Sequence, residues 1–240
     1  MTPQQMIETI LEPSFEGDGV LANDLLKELG PEFPKENVRP LIASPNPETQ
    51  ATAAFLMTFW GFELHPFVSE IATLLESKHS RARFDVTEVL LGCTTPDDGE
   101  ILGRVLLLLD DPHIGVRWKV AQWICVAQYW QLRLAGRHAA RLRPNSAFEI
   151  LEKFCCLRRQ PTSEEIRWLI QYEDPIVRRF GAALSIRPLE VIDERFLTIA
   201  SMSDDAEVAE IVESGRGGFM APGRAIFSSR LFDDTVQPGD

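Results

Sequence analysis

Apolar positions along this chain recur with the period of a helix, and short polar breaks interrupt them. Residues 3–12 place Met6, Ile7, Ile10 and Leu11 on one stripe, with Thr2 able to cap the start and Pro3 suited to a first turn. Val20–Leu29 predicts a second helix, and Gly30 stands where such a helix ends. Convincing two-residue alternation, the sign of a strand, does not occur.

The pattern also repeats at long range. With Val116 as an anchor, the residues four, seven and eight positions on are Val120, Trp123 and Ile124, which share one helical face. The same columns hold Thr49, Ala53, Leu56 and Met57; Ala82, Val86, Val89 and Leu90; Ala147, Leu151, Phe154 and Cys155; and Val177, Gly181, Leu184 and Ser185. Val208 and Val212 begin a sixth set. The anchors at 49, 82, 116, 147, 177 and 208 are spaced by 33, 34, 31, 30 and 31 residues. A near-constant period of this size predicts a repeat array.

Cap chemistry precedes the anchors. Asn46-Pro47 and Asp174-Pro175 lie just upstream, Asp205 fills the same slot, and Asp111-Pro112 is displaced by two residues. An Asp or Asn side chain accepts the free N–H groups of a first turn, and a following proline has no N–H to leave unpaired. His79 and His113 share the slot three before the anchor, which fits turn capping better than metal binding. A second apolar segment lies upstream of the starts: Phe67–Leu75, Ile101–Leu109, Ile166–Ile170 and Val191–Ile199. One repeat is thus two antiparallel helices, neither of which buries its face without neighbours.

The stretches LLDDPHIGVRWKVAQWI and LIQYEDPIVRRFGAALSI resemble HEAT repeats in their Asp-Pro turn, Val-Arg pair and small-residue second helix. LIASPNPETQATAAFLMTF resembles them more loosely. The resemblance implies an all-α fold, an α-solenoid stacked right-handed from about five to six antiparallel helical pairs. It also implies that the Arg after the anchor bonds turn acids of neighbouring repeats. Arg83, Arg117 and Arg178 match that position and read as structural, whereas Gln50 and Ala209 depart from it. The expected organisation is an N-terminal helical cap over 1–35, a HEAT-like array over 36–214 and an irregular tail over 215–240.

Charge sharpens the picture. The formal net charge is -12, which disfavours a nucleic-acid-coating protein because phosphate binding needs a basic surface. Residues 1–100 sum to -11, 101–159 to +6 and 160–240 to -7. The N-terminus lacks a basic start followed by an apolar run, and no apolar stretch reaches the length of a membrane span. A cytoplasmic protein is expected, with Cys93, Cys125, Cys155 and Cys156 as free thiols.

Candidate chemistry is sparse. His65, His79, His113 and His138 are scattered without metal spacing. The Gly215-Arg-Gly-Gly run lacks the Lys-Ser/Thr of a P-loop, and no nucleophile motif occurs. No cofactor and no catalytic residue are predicted. Arg133, Arg137 and Arg141 fall on one helical face, read either as a solvated face or as an anion or acidic-peptide site. The non-core positions of the second helices, Asp85, Glu88, Trp118, Lys119, Gln122 and Arg179, are the expected partner contacts.

HEAT-like arrays serve mainly as protein-binding scaffolds. Small acidic HEAT-like chains are similar to bacterial immunity proteins, which bind and neutralise a toxin domain. A basic toxin, such as a nuclease, would be steered to an acidic binder. The alternatives are a HEAT-like DNA glycosylase, drafting Trp118, Trp168 and Asp111 around an alkylated base, and a HEAT-like maturation chaperone or lyase.

Overall fold

The computed structural model describes residues 1–30, 33–187, 198–200 and 203–216. Among them every regular element is a helix. Helix α1 spans Pro3–Ile10 and α2 Gly19–Glu28. Thr2 and Gln5 close a reciprocal cap on α1, and Asp18 accepts the Val20 and Leu21 N–H groups at the start of α2. Helices α3 (Arg39–Ile42) and α4 (Pro47–Met57) follow, then α5 (Val68–Ile71) and α6 (Ser80–Cys93). The remainder are α7 (Gly99–Leu107), α8 (Ile114–Val126), α9 (Tyr129–Leu142), α10 (Ser146–Cys155), α11 (Ser163–Ile170), α12 (Pro175–Ile186) and α13 (Ala206–Arg216).

The repeat anchors sit in register. Thr49, Ala82, Val116, Val177 and Val208 are each the third residue of their helix, and Ala147 is the second. The columns they head are buried, including Leu56, Leu90, Val120, Trp123, Leu151 and Val212. Phe154 is the exception, half-buried at the edge of α10.

The caps follow the expected slots, with one change. Asn46, Asn145, Asp174 and Asp205 accept first-turn N–H groups. His79 and His113 cap α6 and α8 through Nδ1, accepting from Arg81 N at 3.1 Å and Gly115 N at 3.2 Å. Asp111 does not cap α8 itself. Its carboxylate accepts from His113 N at 2.8 Å and fixes the residue that does the capping.

The expected helix over Phe67–Leu75 is broken. A 3-10 segment, Gly61–Phe67, leads into α5, and a second, Ala72–Glu76, follows it. Pro66 lies inside the first segment and cannot donate to an α-helical ladder, which favours the tighter turn there. The expected Val191–Ile199 helix lies almost wholly outside the described residues.

Contacts group the chain into two compact units that divide between Ile101 and Leu102, within α7. In the first, α4 packs on α6. Thr49 Oγ1 donates to Ile10 O at 2.7 Å, and Asn46 Nδ2 donates to Phe15 O at 2.8 Å. These bonds tie the α1–α2 hairpin to the first repeat helix. In the second unit α9 pairs with α10, α11 with α12, and α12 with α13. Helix α8 packs directly on α12, although the α9–α10 hairpin separates them in sequence. The repeat anchored at Ala147 has neither an Asp-Pro turn nor the Arg. Phe148 stands in the Arg slot and is fully buried.

Glycines permit close helix approaches in this unit. A methyl group at Gly103 would lie 2.6 Å from His138 Cβ, and one at Gly181 would lie 2.7 Å from Leu169 Cβ. Neither neighbour is the loose end of a flexible chain, so larger residues there force helices apart.

Candidate functional site

The arginines after the anchors act first as turn staples. Arg83 Nη1 donates to Ser77 O at 2.7 Å, Arg117 Nη1 to Asp111 O at 2.8 Å, and Arg178 Nη1 to Tyr172 O at 3.0 Å. In each case the carbonyl is six residues upstream. One guanidinium thus closes the turn between the two helices of a repeat. Gln50, which departs from the Arg pattern, makes the same bond through Nε2 to Ser44 O at 2.9 Å. Its Oε1 accepts from Ser77 Oγ at 2.5 Å, which links it to the turn of the next repeat.

The second half of the guanidinium reaches outward in Arg117 and Arg178. Arg178 Nε meets Asp205 Oδ2 at 2.7 Å. Arg117 binds Glu207 through Nε at 2.7 Å and Nη2 at 3.2 Å. Arg179 Nε binds the same Glu207 at 2.9 Å, and its Nη1 donates to Leu109 O at 3.0 Å. One mostly buried carboxylate on α13 thereby joins the first turns of α8 and α12. Arg187 closes the other end of the α8–α12 contact, donating to Ile124 O and, at 2.5 Å, to Ala127 O.

Asp205 is tuned by this setting. Burial works against its charge, yet Arg178 and the first amides of α13 together hold its carboxyl below the ordinary carboxylate range. A depressed folded value contributes stability above the unfolded pKa of about 4, and that contribution is lost as pH falls through the folded value. Asp205→Asn, which removes the charge but keeps a cap oxygen, is expected to cost about 1 kcal/mol near neutral pH. Denaturant melts at pH 7 and pH 3 should show the difference shrinking in acid.

The predicted partner residues meet different fates. Asp85 is buried, at 3% exposure, and its carboxylate lies 2.6 Å from Arg81 Nε. Lys119 is 9% exposed and donates to Gln122 Oε1 at 3.1 Å. These two offer almost no surface to a partner, because their helices are covered on more sides than a one-sided stripe implies. Arg179 is committed to Glu207 and Leu109. Glu88 is exposed, and Trp118 and Gln122 are half-buried. The Trp118 Nε1 atom is sealed from solvent without an acceptor. Glu88 belongs to the first unit and the Trp118–Gln122 group to the second.

Other side chains are more available. Phe59 is 60% exposed and Phe62 64%, on either side of Gly61 just after α4. Gly61 has φ of 52°, the left-handed region that lets the chain turn sharply there. The aromatic run TFWGF around a glycine was the available signal for this exposed loop. In the second unit Trp168 is 46% exposed and lies between Phe154, on which it stacks, and the tilted ring of Tyr172, with ring centroids at 6.2 and 4.9 Å. A cleft of about 640 Å³ beside it is lined by Arg167, Tyr172, Glu173, Arg178 and Asp205, among others. On α9, Arg137 and Arg141 are exposed and Arg133 is half-buried.

Chemistry of the reactive kind finds little footing. Burial pushes the Cys93 and Cys125 thiols up to about 12 and Cys155 further up, so they are poor nucleophiles. Among the described residues no group of His, Cys, Asp and Glu is placed to hold a metal ion. Asp111, the acid a glycosylase reading would draft, is 6% exposed and engaged with His113 N. Among the described residues no helix is long and apolar enough to cross a membrane.

No family model matches the chain. No curated protein matches it either. Among solved structures, the crystal structure of an engineered protein is similar at 14% identity and a TM-score of 0.38, over 89% of each chain. A likeness at that score carries no argument about fold or function.

Proposed function

We propose that this is a non-enzymatic, HEAT-like protein-binding solenoid that acts as an immunity-type inhibitor of a basic toxin domain. The observation that carries the reading is the charge of the first unit. Residues 1–101 hold the net -11, whereas residues 102–240 sum to -1. Five of the six Lys and Arg residues of the first unit, all but Lys78, are occupied. Lys27 pairs with Asp24, Lys35 with Glu63, Arg39 with Glu70 and Arg81 with Asp85, and Arg83 staples its turn. Glu12, Glu16, Glu28 and Glu36 are exposed and take part in no ion pair among the described residues. The exposed Phe59 and Phe62 lie on this same unit. Acids in excess on a unit that also exposes aromatics suit a basic protein partner, with charge speeding encounter and rings anchoring the complex.

The test is capture from nuclease-treated lysate of the native host, followed by mixing with the purified captured protein. One basic protein should bind stoichiometrically, more weakly as salt rises, and its own activity should be blocked. Loss of every protein after nuclease treatment, with DNA held from untreated lysate, would overturn the reading and turn attention to base excision. A chromophore or cofactor retained on purification would favour the lyase alternative instead.

A further inference from the structure

Helix α9 holds three guanidinium groups in line. Arg133, Arg137 and Arg141 recur at every fourth residue, so their Cα atoms span about 12 Å along the axis. The opposite side of the helix is fixed inward. Leu132, Ala135 and Ala139 are buried, and Gly136 lies so close to α10 that a methyl group there would meet Cys155 Cβ at 2.7 Å. The arginine face therefore keeps its orientation.

These three differ from six other arginines of the second unit. Arg117, Arg143, Arg159, Arg178, Arg179 and Arg187 are each bonded to a carboxylate or a carbonyl. Among the described residues, Arg133, Arg137 and Arg141 meet no acid, and the Arg133 Nε is sealed from solvent with no acceptor. A chain with a net charge of -12 has ample acids to pair them, yet no acid among the described residues does so. Trp130 and Leu134, both half-buried, lie along the same face and give an apolar shelf for aliphatic stems.

We propose that this face of α9 docks an acidic protein segment, one that presents about three carboxylates over the 12 Å row. Guanidinium groups take carboxylates in bidentate pairs, which fixes register as well as attraction. A nucleic acid is a poorer fit. Neutralising about three phosphates gives weak, salt-sensitive binding, and the net charge of the chain repels a long polyanion. This surface is separate from the acidic first unit and does not rest on the toxin reading.

The experiment uses the full chain and a fluorescent helical peptide with Glu at every fourth position, read by anisotropy. A single-stranded RNA of equal length is the second probe. The peptide should bind, and Arg137→Glu with Arg141→Glu should weaken it about tenfold or more. Both residues are exposed, and an unchanged thermal melt checks that the variant folds. Should it not fold, Arg137→Gln with Arg141→Gln tests the same row. Failure of the peptide to bind, or binding that the substitutions leave unchanged, overturns the proposal. So does RNA binding that is tighter than the peptide's and lost in the same variants.

Discussion

Replacing Trp123 with alanine is expected to destabilise the protein by about 3–5 kcal/mol, enough to threaten folding of the second unit. The side chain is 2% exposed and belongs to the core column of α8. Truncation removes its transfer energy and leaves a cavity that packed helices fill only in part. Phenylalanine should behave very differently. The indole Nε1 is buried without an acceptor, so it carries an unmet desolvation cost of about 1–3 kcal/mol. Trp123→Phe loses some packing but also removes that orphan donor. The two effects oppose, and the net change should stay within about 1 kcal/mol of zero. Denaturant unfolding of both variants measures this. A phenylalanine variant as damaged as alanine would mean that the ring's full volume, and not the bare N–H, governs the site.

Trp123 also shows which parts of the molecule the sequence made legible. A residue that lies in a column repeated about every 32 residues must face the same interior each time, and burial obeys that rule at every described column position except Phe154. Caps were legible for the same reason, since a helix start has few chemical solutions. His79 and His113 were readable as caps because position, not residue type, defined their slot. What the periodicity could not convey is how helices meet across the unit. The packing of α8 on α12 depends on Glu207, Arg179 and Arg187, which lie 90, 62 and 70 residues from Arg117. Nothing local marks those long-range pairs. For the candidate site, the same blindness placed Asp85 and Lys119 on an open wall, because a helix stripe records one buried face and is silent about a second neighbour. The α9 arginines were visible in the sequence, but only the structure distinguishes them from the six arginines of the second unit that bond carboxylates or carbonyls.

Glu207→Ala should be the most damaging surface-proximal change, costing about 3 kcal/mol or more. The carboxylate accepts from Arg117 and Arg179 at once, and the three side chains are only 13–15% exposed. Its removal leaves two guanidinium groups close together, partly dehydrated and without a counterion. Their bonds to Asp111 O, Pro112 O and Leu109 O hold them in place, so they cannot swing fully into water. At about 2–4 °C per kcal/mol for a chain of this size, the melting temperature should fall by roughly 6–12 °C. Glu207→Gln keeps one acceptor oxygen and should fall between. The informative variant is the triple replacement Arg117→Met, Arg179→Met and Glu207→Leu. If the cost of Glu207→Ala comes from stranded charge, the apolar triple should recover much of the loss, because no ion remains to be desolvated. If instead the arginines act mainly as turn staples, the triple should be worse than Glu207→Ala, since it also breaks the carbonyl bonds of two turns. A double-mutant cycle between Arg117 and Glu207 separates the two contributions. Either outcome bears on function. A node held by charge would loosen at high salt along with any electrostatic complex, so binding measured against salt must be compared with a melt at the same salt before weaker binding is assigned to the partner surface.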